Sequence, residues 1–352
     1  MARTALIAGA TGAASKRLVE VLLEDPDWSV IGLSRHPPAA AHAGRLRYIK
    51  VDLLDADNCR AALAGCREVT HIFYTARAKF GEGGVETVDE NVAMLRNVLD
   101  AVEPIAPSLQ HVHLVEGTKW YGMHLGSMQT PAREDDPRHM PPNFYYDQED
   151  LLRARQAGKR WTWSASRPGF IYDYAPERPR NIISTIGAWA AICAELGLPL
   201  DFPGKPGNYD ALGEMTDATL LARAMAWMAT SPAARNQAYN VTDGGLVRWR
   251  RFWPRLADHF GMKLGEVRPM TLAEWMQDKG PVWDRIVAKH KLKPTRMEQV
   301  AVWAFGDFLW HREHDVISSV IKLRRDGFHD TIDTEEQVLE YLRRYREDRL
   351  LP

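Results

Sequence analysis

The chain of 352 residues is 45% hydrophobic and 26% charged, an ordinary globular composition that excludes disordered, collagenous and fibrous classes. Lysine and arginine number 45 against 46 aspartate and glutamate, so the formal net charge of −1 favours neither nucleic acid nor a membrane surface as a partner. The 3 cysteines form no C-x-x-C pair, which predicts a reduced, cytoplasmic compartment, and no apolar run approaches the roughly 20 residues of a membrane-spanning helix.

Short apolar runs alternate with helix-period stretches through the first half of the chain. The expected strands are Ala5–Ala8, Val30–Leu33, Leu46–Val51, His71–Tyr74, His111–Val115 and Trp163–Arg167. The expected helices between them include Lys16–Leu23, Asn91–Val102 and Tyr145–Ala157. This alternation is typical of a parallel sheet covered by helices on both faces. The sequence therefore predicts an α/β fold with a Rossmann-type doubly wound parallel sheet.

The second half has a different pattern. Helices are expected over Asn181–Leu196 and Thr216–Thr230, with a late strand at Ala238–Val241 and mostly helices from Trp249 onward. Six tryptophans of this tail are expected to fill a small helical core: Trp249, Trp253, Trp275, Trp283, Trp303 and Trp310. We predict a dinucleotide-binding domain over residues 1–180 with a return segment at 208–245, and a smaller, mainly helical substrate-binding lobe from 181–207 and 246–352. A substrate pocket is expected between this lobe and the carboxyl ends of the sheet.

A glycine-rich turn joins the first strand to the first helix. It reads Gly9-Ala10-Thr11-Gly12-Ala13-Ala14-Ser15, a Gly-x-x-Gly-x-x-Ser spacing. Glycines at such a turn let the backbone approach a pyrophosphate, and the helix that follows presents its unpaired N–H groups to the phosphates. Because a lone glycine loop is weak evidence, the position between strand and helix is what favours a nucleotide site. The expected cofactor-binding residues are Gly9, Thr11, Gly12 and Ala13.

The end of the second strand indicates which dinucleotide binds. An NAD enzyme usually has an acid there to hold the ribose hydroxyls, whereas this strand ends in Ser34 and Arg35. Arginine pairs with a 2′-phosphate through charge-assisted hydrogen bonds, so the sequence favours NADP, as NADPH and NADP+, over NAD. The alternative is that Arg35 is a solvated loop cation. Asp52 and Leu53 follow the third strand, where adenine is often contacted.

The usual catalytic pair of short-chain dehydrogenases is missing. These enzymes carry Tyr-x-x-x-Lys on one helix face, yet Tyr145 and Tyr146 are followed at that spacing by Glu149 and Asp150. Either the chain is catalytically inactive or the lysine comes from elsewhere. Lys119, in the loop after the fifth strand, is placed to reach the nicotinamide ribose and to lower the pKa of a nearby tyrosine. The alternative of a solvated loop lysine stays open on spacing alone.

Several motifs resemble those of a known family. They are Gly117-Thr118-Lys119-Trp120-Tyr121, Asn143-Phe144-Tyr145-Tyr146-Asp147-Gln148-Glu149-Asp150 and Trp163-Ser164-Ala165-Ser166-Arg167-Pro168-Gly169. The chain resembles, over nearly its whole length, the progesterone 5β-reductase/iridoid synthase-like enzymes, which are atypical extended short-chain dehydrogenases. The resemblance implies NADPH-dependent 1,4-reduction of an enone or enal, with the family's catalytic tyrosine at Tyr145 and its lysine at Lys119 stabilising the enolate.

The expected cofactor site is completed by residues at other strand ends. We place Thr75, Pro168, Gly169 and Ile171 there, together with Lys119 and Tyr145. One departure from the family concerns the segment after the fourth strand, where an aromatic residue is often found and this chain has Arg77. A cation at that position favours a more polar or anionic substrate and argues against a steroid.

Other features do not extend this hypothesis. His111-x-His113 and His311-x-x-His314 lack the carboxylate and cysteine partners of a metal site, so we expect core or surface histidines and no metal.

Two alternatives stay open: a carbonyl (1,2-) reductase in which Tyr145 protonates an alkoxide, and a non-catalytic NADP-binding sensor. The expected partner is a small-molecule enone or enal, and a homodimer is left open.

Overall fold

The computed structural model describes residues 2–38, 44–79 and 86–352. The strands are β1 Arg3–Ala8, β2 Trp28–Ser34, β3 Leu46–Lys50, β4 His71–Tyr74, β5 His111–Val115, β6 Thr162–Pro168, β7 Phe170–Tyr172, β8 Leu200–Phe202, β9 Leu212–Gly213, β10 Met215–Asp217, β11 Gln237–Val241, β12 Val247–Arg248 and β13 Leu264–Val267. The helices are α1 Ala13–Glu24, α2 Ala56–Leu63, α3 Val88–Val102, α4 Phe144–Gln156, α5 Ile182–Glu195, α6 Pro206–Asp210, α7 Ala218–Thr230, α8 Trp249–Phe260, α9 Leu272–Trp275, α10 Gly280–His290, α11 Trp303–Trp310, α12 Ile321–Arg325 and α13 Thr334–Glu347.

Within these described ranges, seven parallel strands form one sheet in the order β3-β2-β1-β4-β5-β6-β11. Ala5 pairs with Val30 on one side and with His71 on the other, so β1 lies at the point where the strand order reverses. In open α/β sheets, ligands bind outside the carboxyl ends of the strands at this point. The doubly wound sheet predicted from the alternating pattern is confirmed.

Apolar helix faces cover both sides of the sheet. On one side, Leu18 of α1 and Met225 of α7 are fully buried against the strands. On the other side, Leu63 of α2 and Leu95 and Leu99 of α3 are equally buried. A leucine removed from water in this way contributes roughly 1.5–3 kcal/mol, so these two layers fix the strand ends that form the site.

A third core lies in the second half of the chain. Trp253, Trp283 and Trp310 are buried around α5 and Phe202, and Trp303 joins them. The predicted tryptophan core is confirmed for these residues. It is wrong for Trp275, whose surface is 62% exposed.

Two helices differ from what the sequence predicted. The helix expected over Thr216–Thr230 begins at Ala218, because Met215–Asp217 pair with β7 and the Asp217 carboxylate accepts hydrogen bonds from the Thr219 and Leu220 N–H groups. Such a carboxylate cap satisfies N–H groups that have no partner within the helix. The helix α2, which begins after an equivalent cap at Asp55, was not predicted.

The C-terminal chain contacts more than one core. Leu323 and Phe328 pack beside α7 against the sheet, whereas Tyr341 and Tyr345 of α13 pack into the third core. The division into a dinucleotide-binding domain and a separate helical lobe stays a prediction.

The buried histidines of β5 belong to the sheet core. His111 and His113 each lie 2.8 Å from the Ser164 hydroxyl, and burial lowers the pKa of His113 to about 3. A neutral, hydrogen-bonded imidazole is the arrangement expected of a core residue. In the part of the chain that the structure describes, no helix is long and apolar enough to cross a membrane.

Candidate active site

Two adjoining cavities open at the carboxyl edge of the sheet. One, of about 640 Å³, surrounds the glycine-rich turn; the other, of about 660 Å³, lies between the strand ends and the second half of the chain. Thr75, Ala76 and Arg77 line both, so the two form one continuous cleft. Every site residue predicted from the sequence lines this cleft: Gly9, Thr11, Gly12, Ala13, Ser34, Arg35, Asp52, Leu53, Thr75, Lys119, Tyr145, Pro168, Gly169 and Ile171.

The glycine-rich turn is shaped for close approach. Gly9 has φ +82°, and a Cβ there would lie 3.0 Å from the backbone of Ala76, so only glycine fits. The helix α1 starts after Gly12 with no side-chain cap and no acid in its first turn, which leaves its N-terminal N–H groups to an anion. The Ser15 hydroxyl donates to the Gly9 carbonyl oxygen at 2.8 Å and holds the turn. These features fit a dinucleotide pyrophosphate.

The far end of the first cavity contains the residues predicted to contact a 2′-phosphate. Arg35 is exposed there, and the Ser34 hydroxyl accepts a hydrogen bond from the His36 N–H group at 3.1 Å. Across the cavity, an Asp52 carboxylate oxygen accepts the Leu54 N–H group at 3.1 Å. A cation and hydroxyls at the end of β2 form a polar surface that a phosphate fits.

Tyr145 stands in the first turn of α4, at the wall of the second cavity. A Cβ on Gly117 would lie only 3.4 Å from the Tyr145 hydroxyl, which places that oxygen beside the end of β5. Burial and then the nearby Glu86 carboxylate raise the pKa of the Tyr145 hydroxyl above its ordinary value. The hydroxyl is therefore a protonated hydrogen-bond donor at neutral pH.

Lys119 lies in the short 3₁₀ helix Thr118–Tyr121 and lines the same cavity. Its Nζ is 2.7 Å from a Glu86 carboxylate oxygen, which also binds Arg77 Nη1 at 3.1 Å. Lys119 was expected to lower the pKa of the tyrosine, and the net effect at Tyr145 is a pKa raised by burial and by Glu86. The lysine charge is directed to Glu86, and burial dominates at Tyr145.

Tyr146 occupies a different environment. Its ring packs edge-on against Trp120 with centroids 4.7 Å apart, and its hydroxyl donates to the Trp120 carbonyl oxygen. The same hydroxyl accepts the His139 N–H group at 2.9 Å. Both hydrogen-bonding functions of Tyr146 are thus used within the fold, whereas Tyr145 faces the cavity.

A buried ion cluster lies behind the site. Arg167 of β6 binds Glu116 at 2.8 Å and Glu149 at 3.1 Å, and its guanidinium lies 3.6 Å from the Trp120 ring centroid. Burial raises the pKa of Glu116 to about 8 despite the arginine. Glu149 occupies the position four residues after Tyr145, where Tyr-x-x-x-Lys enzymes have lysine. Here that position anchors α4 to the sheet.

The outer wall of the second cavity combines Phe170 of β7 with residues from the second half of the chain. Phe170 and Phe305 face each other with ring centroids 5.4 Å apart, beside Phe308. Arg180 stacks on Phe305 at 4.6 Å, and Arg312 completes the wall.

Sequence reasoning missed several residues of the site. Asn143 caps α4, and an asparagine before a predicted helix is a recognisable signal of that role. No local sequence motif marks Glu86, Arg180 or Arg312 as site residues, because tertiary packing alone brings them to the cleft.

Comparison with known proteins assigns the family. Residues 51–316 match the family model described as PRISE-like Rossmann-fold domain, where PRISE denotes the progesterone 5β-reductase/iridoid synthase-like enzymes. The chain belongs to the PRISE family. Among curated PRISE-related proteins, it is 35% identical to an (S)-8-oxocitronellyl enol synthase of Nepeta racemosa and 34% identical to a 3-oxo-Delta(4,5)-steroid 5-beta-reductase of Arabidopsis thaliana. Each comparison covers 99% of this chain and 93% of the relative.

Solved structures support the fold of this PRISE protein. It matches a short-chain dehydrogenase/reductase superfamily protein of Agrobacterium tumefaciens with a TM-score of 0.68 and 14% identity, over 99% of this chain and 98% of the other. A putative epimerase of Burkholderia cenocepacia matches with a TM-score of 0.69 and 17% identity, over 98% of both chains. The predicted Rossmann-type doubly wound fold is confirmed.

Proposed function

We propose that the protein is an NADPH-dependent ene-reductase that adds hydride in a 1,4-sense to the activated C=C bond of an enone or enal. The observation that carries this proposal is the joint position of Tyr145 and Lys119 on one cavity wall at the carboxyl edge of the sheet. That cavity is continuous with the cleft around the glycine-rich turn. The names of the curated relatives, enol synthases and a steroid 5β-reductase, support the same chemistry.

The cofactor is held by the residues of the first cavity. The N–H groups of α1 and the turn at Gly9 and Gly12 would bind the pyrophosphate, and Ser34 with Arg35 would bind the 2′-phosphate. When bound, the reduced nicotinamide supplies the hydride to the β-carbon of the substrate. Lys119, now paired with Glu86 at 2.7 Å, would hold the nicotinamide ribose.

Tyr145 stabilises the charge that develops on the substrate. As hydride reaches the β-carbon, negative charge accumulates on the carbonyl oxygen as an enolate. The protonated hydroxyl of half-buried Tyr145 donates a hydrogen bond to that oxygen, and the Lys119 charge adds to the favourable field. One preorganised donor of this type contributes ~3–4 kcal/mol to the transition state, or roughly 10²–10³ in rate.

Steady-state oxidation of NADPH with a small panel of enals and enones tests the proposal, followed by analysis of the products. The enolate takes a proton from solvent at its α-carbon, so we expect saturated aldehydes and ketones. Allylic alcohols from the same enals would identify a carbonyl reductase. Binding of NADPH without turnover on any member of the panel would identify a sensor.

A further inference from the structure

The wall that the second half contributes to the cavity combines apolar rings with positive charge. Phe305 and Phe308 present aromatic surface, and Arg180 and Arg312 lie on the same wall. An apolar cavity that binds only a neutral aldehyde or ketone has no need of guanidinium groups away from the reacting carbonyl.

Arg312 stands out because its half-buried guanidinium has no ion pair among the described residues. It follows α11, it lines the cavity, and its buried Nε–H group has no acceptor within the described part of the chain. Burial lowers the pKa of the guanidinium, an effect that Glu214 and Asp315 oppose. A buried donor without a partner destabilises a fold, and a charged one more so. A carboxylate in the cavity that pairs with the terminal N–H groups of this guanidinium would supply the counter-charge that the described residues lack.

The nearby acids only partly neutralise this arginine. The Glu214 carboxylate accepts hydrogen bonds from the Ser318 N–H and hydroxyl groups, and burial raises its pKa to about 7, so it is partly protonated near neutral pH. An Asp315 oxygen accepts the Leu212 N–H group at 2.8 Å.

The other charges on the cavity wall have partners of their own. Arg178 binds Asp173 at 3.0 Å, Lys119 and Arg77 both bind Glu86, and Glu177 binds Lys16 at 2.7 Å. Arg312, by contrast, has no ion pair among the described residues. Arg178 also has a buried Nη1 without an acceptor there, but it is paired with Asp173 through Nη2.

The cofactor does not account for this charge. Arg312 does not line the cavity around the glycine-rich turn, where α1 and Arg35 are placed to receive the phosphates. An anion that pairs with Arg312 would therefore enter with the second ligand.

We infer that the substrate is an enal or enone that carries a carboxylate, which Arg312 binds while the carbon chain packs on Phe305 and Phe308. The planar guanidinium matches a carboxylate in shape and charge. Arg180, stacked on Phe305, adds to the attractive field. This inference rests on the proposed ene-reductase function and adds the substrate class to it.

A matched pair of substrates tests the inference: an acyclic enal that ends in a carboxylate, and the methyl ester of the same compound. We expect kcat/KM for the acid to exceed that for the ester by about 10-fold to 100-fold, the range of a hydrogen bond to a charged group. In Arg312→Met this preference should disappear, and in Arg312→Lys it should persist in part.

Arg223→Met serves as the matched control, since Arg223 is 55% exposed and pairs with Asp330 outside the cavity. Its acid-to-ester ratio should equal that of the wild type. Thermal unfolding of each variant establishes that it is folded.

Three results would contradict either the carboxylate inference or the proposed function, and they can be told apart. If the wild type reduces the ester as well as the acid, or if Arg312→Met keeps the preference, the carboxylate inference is wrong while the ene-reductase function stands. If the wild type reduces neither compound with NADPH or NADH, the proposed function itself is wrong.

Discussion

Asn143 ties the backbone of Lys119 to the helix that carries the active-site tyrosine. Its side-chain Nδ2 donates to the Lys119 carbonyl oxygen at 2.9 Å, while its Oδ1 accepts the Tyr145 N–H group at 3.2 Å. In Tyr-x-x-x-Lys enzymes, one turn of helix sets the distance between the two catalytic groups. Here a single amide side chain joins the two segments instead.

Asn143→Asp should therefore separate capping from linkage. The aspartate still accepts the Tyr145 N–H group, but it cannot donate to the Lys119 carbonyl oxygen. We expect a lower kcat and a loss of about 1–3 kcal/mol of unfolding free energy, because a buried carboxylate oxygen then faces the Lys119 carbonyl oxygen, whereas Asn143→Ala should lose about 1 kcal/mol with the cap. Chemical denaturation and steady-state kinetics measure the two effects. A kcat for Asn143→Asp equal to that of the wild type would show that the link does not position the site.

Tyr145→Phe removes the proposed donor and keeps the ring. Because the hydrogen bond is proposed to strengthen only as charge develops, turnover should fall by on the order of 10²-fold while the Kd for NADPH stays nearly unchanged. The matched control is Tyr146→Phe, which should cost about 1 kcal/mol of stability through the lost bond to Trp120 but little turnover. A larger loss of turnover in Tyr146→Phe than in Tyr145→Phe would show that Tyr145 is not the donor.

Arg35→Ala tests the choice of cofactor. Loss of the guanidinium should raise the KM for NADPH by about 10-fold to 100-fold, as expected for a charge-assisted hydrogen bond, and should leave the KM for NADH nearly unchanged. Equal use of NADH and NADPH by the wild type would refute the role assigned to Arg35.

The buried side chain of His113 in β5 predicts that the free energy of unfolding depends on pH. Burial lowers the pKa of His113 to about 3, below its unfolded value near 6.5, so the unfolded chain binds more protons between these values. The stability contributed by the neutral imidazole is present above pH 6.5 and is lost as pH falls.

The difference in unfolding free energy between wild type and His113→Gln should therefore change by about 3 kcal/mol between pH 6.5 and pH 4, to the disadvantage of the wild type. Urea denaturation at several pH values measures this difference. A difference that is independent of pH would contradict the depressed pKa.

The sequence predicted the sheet well because burial on both faces leaves continuous apolar runs in parallel strands. It also located the cofactor end of the cleft, since the turn from Gly9 to Ser15 and the end of β2 are local features of a known topology. The pairing of Tyr145 with Lys119 came from the family resemblance, because the helical spacing that usually reveals it is absent. Glu86 and Arg312 could not be predicted, because only the packing of distant segments brings them to the cavity.

The transfer of a labelled hydride tests the central claim most directly. The protein would reduce an enal with NADPH that carries deuterium at the transferable C4 position, and nuclear magnetic resonance would locate the label in the product. The account predicts a saturated aldehyde with deuterium on the former β-carbon. An allylic alcohol with deuterium on its carbinol carbon, the former carbonyl carbon of the enal, would contradict it.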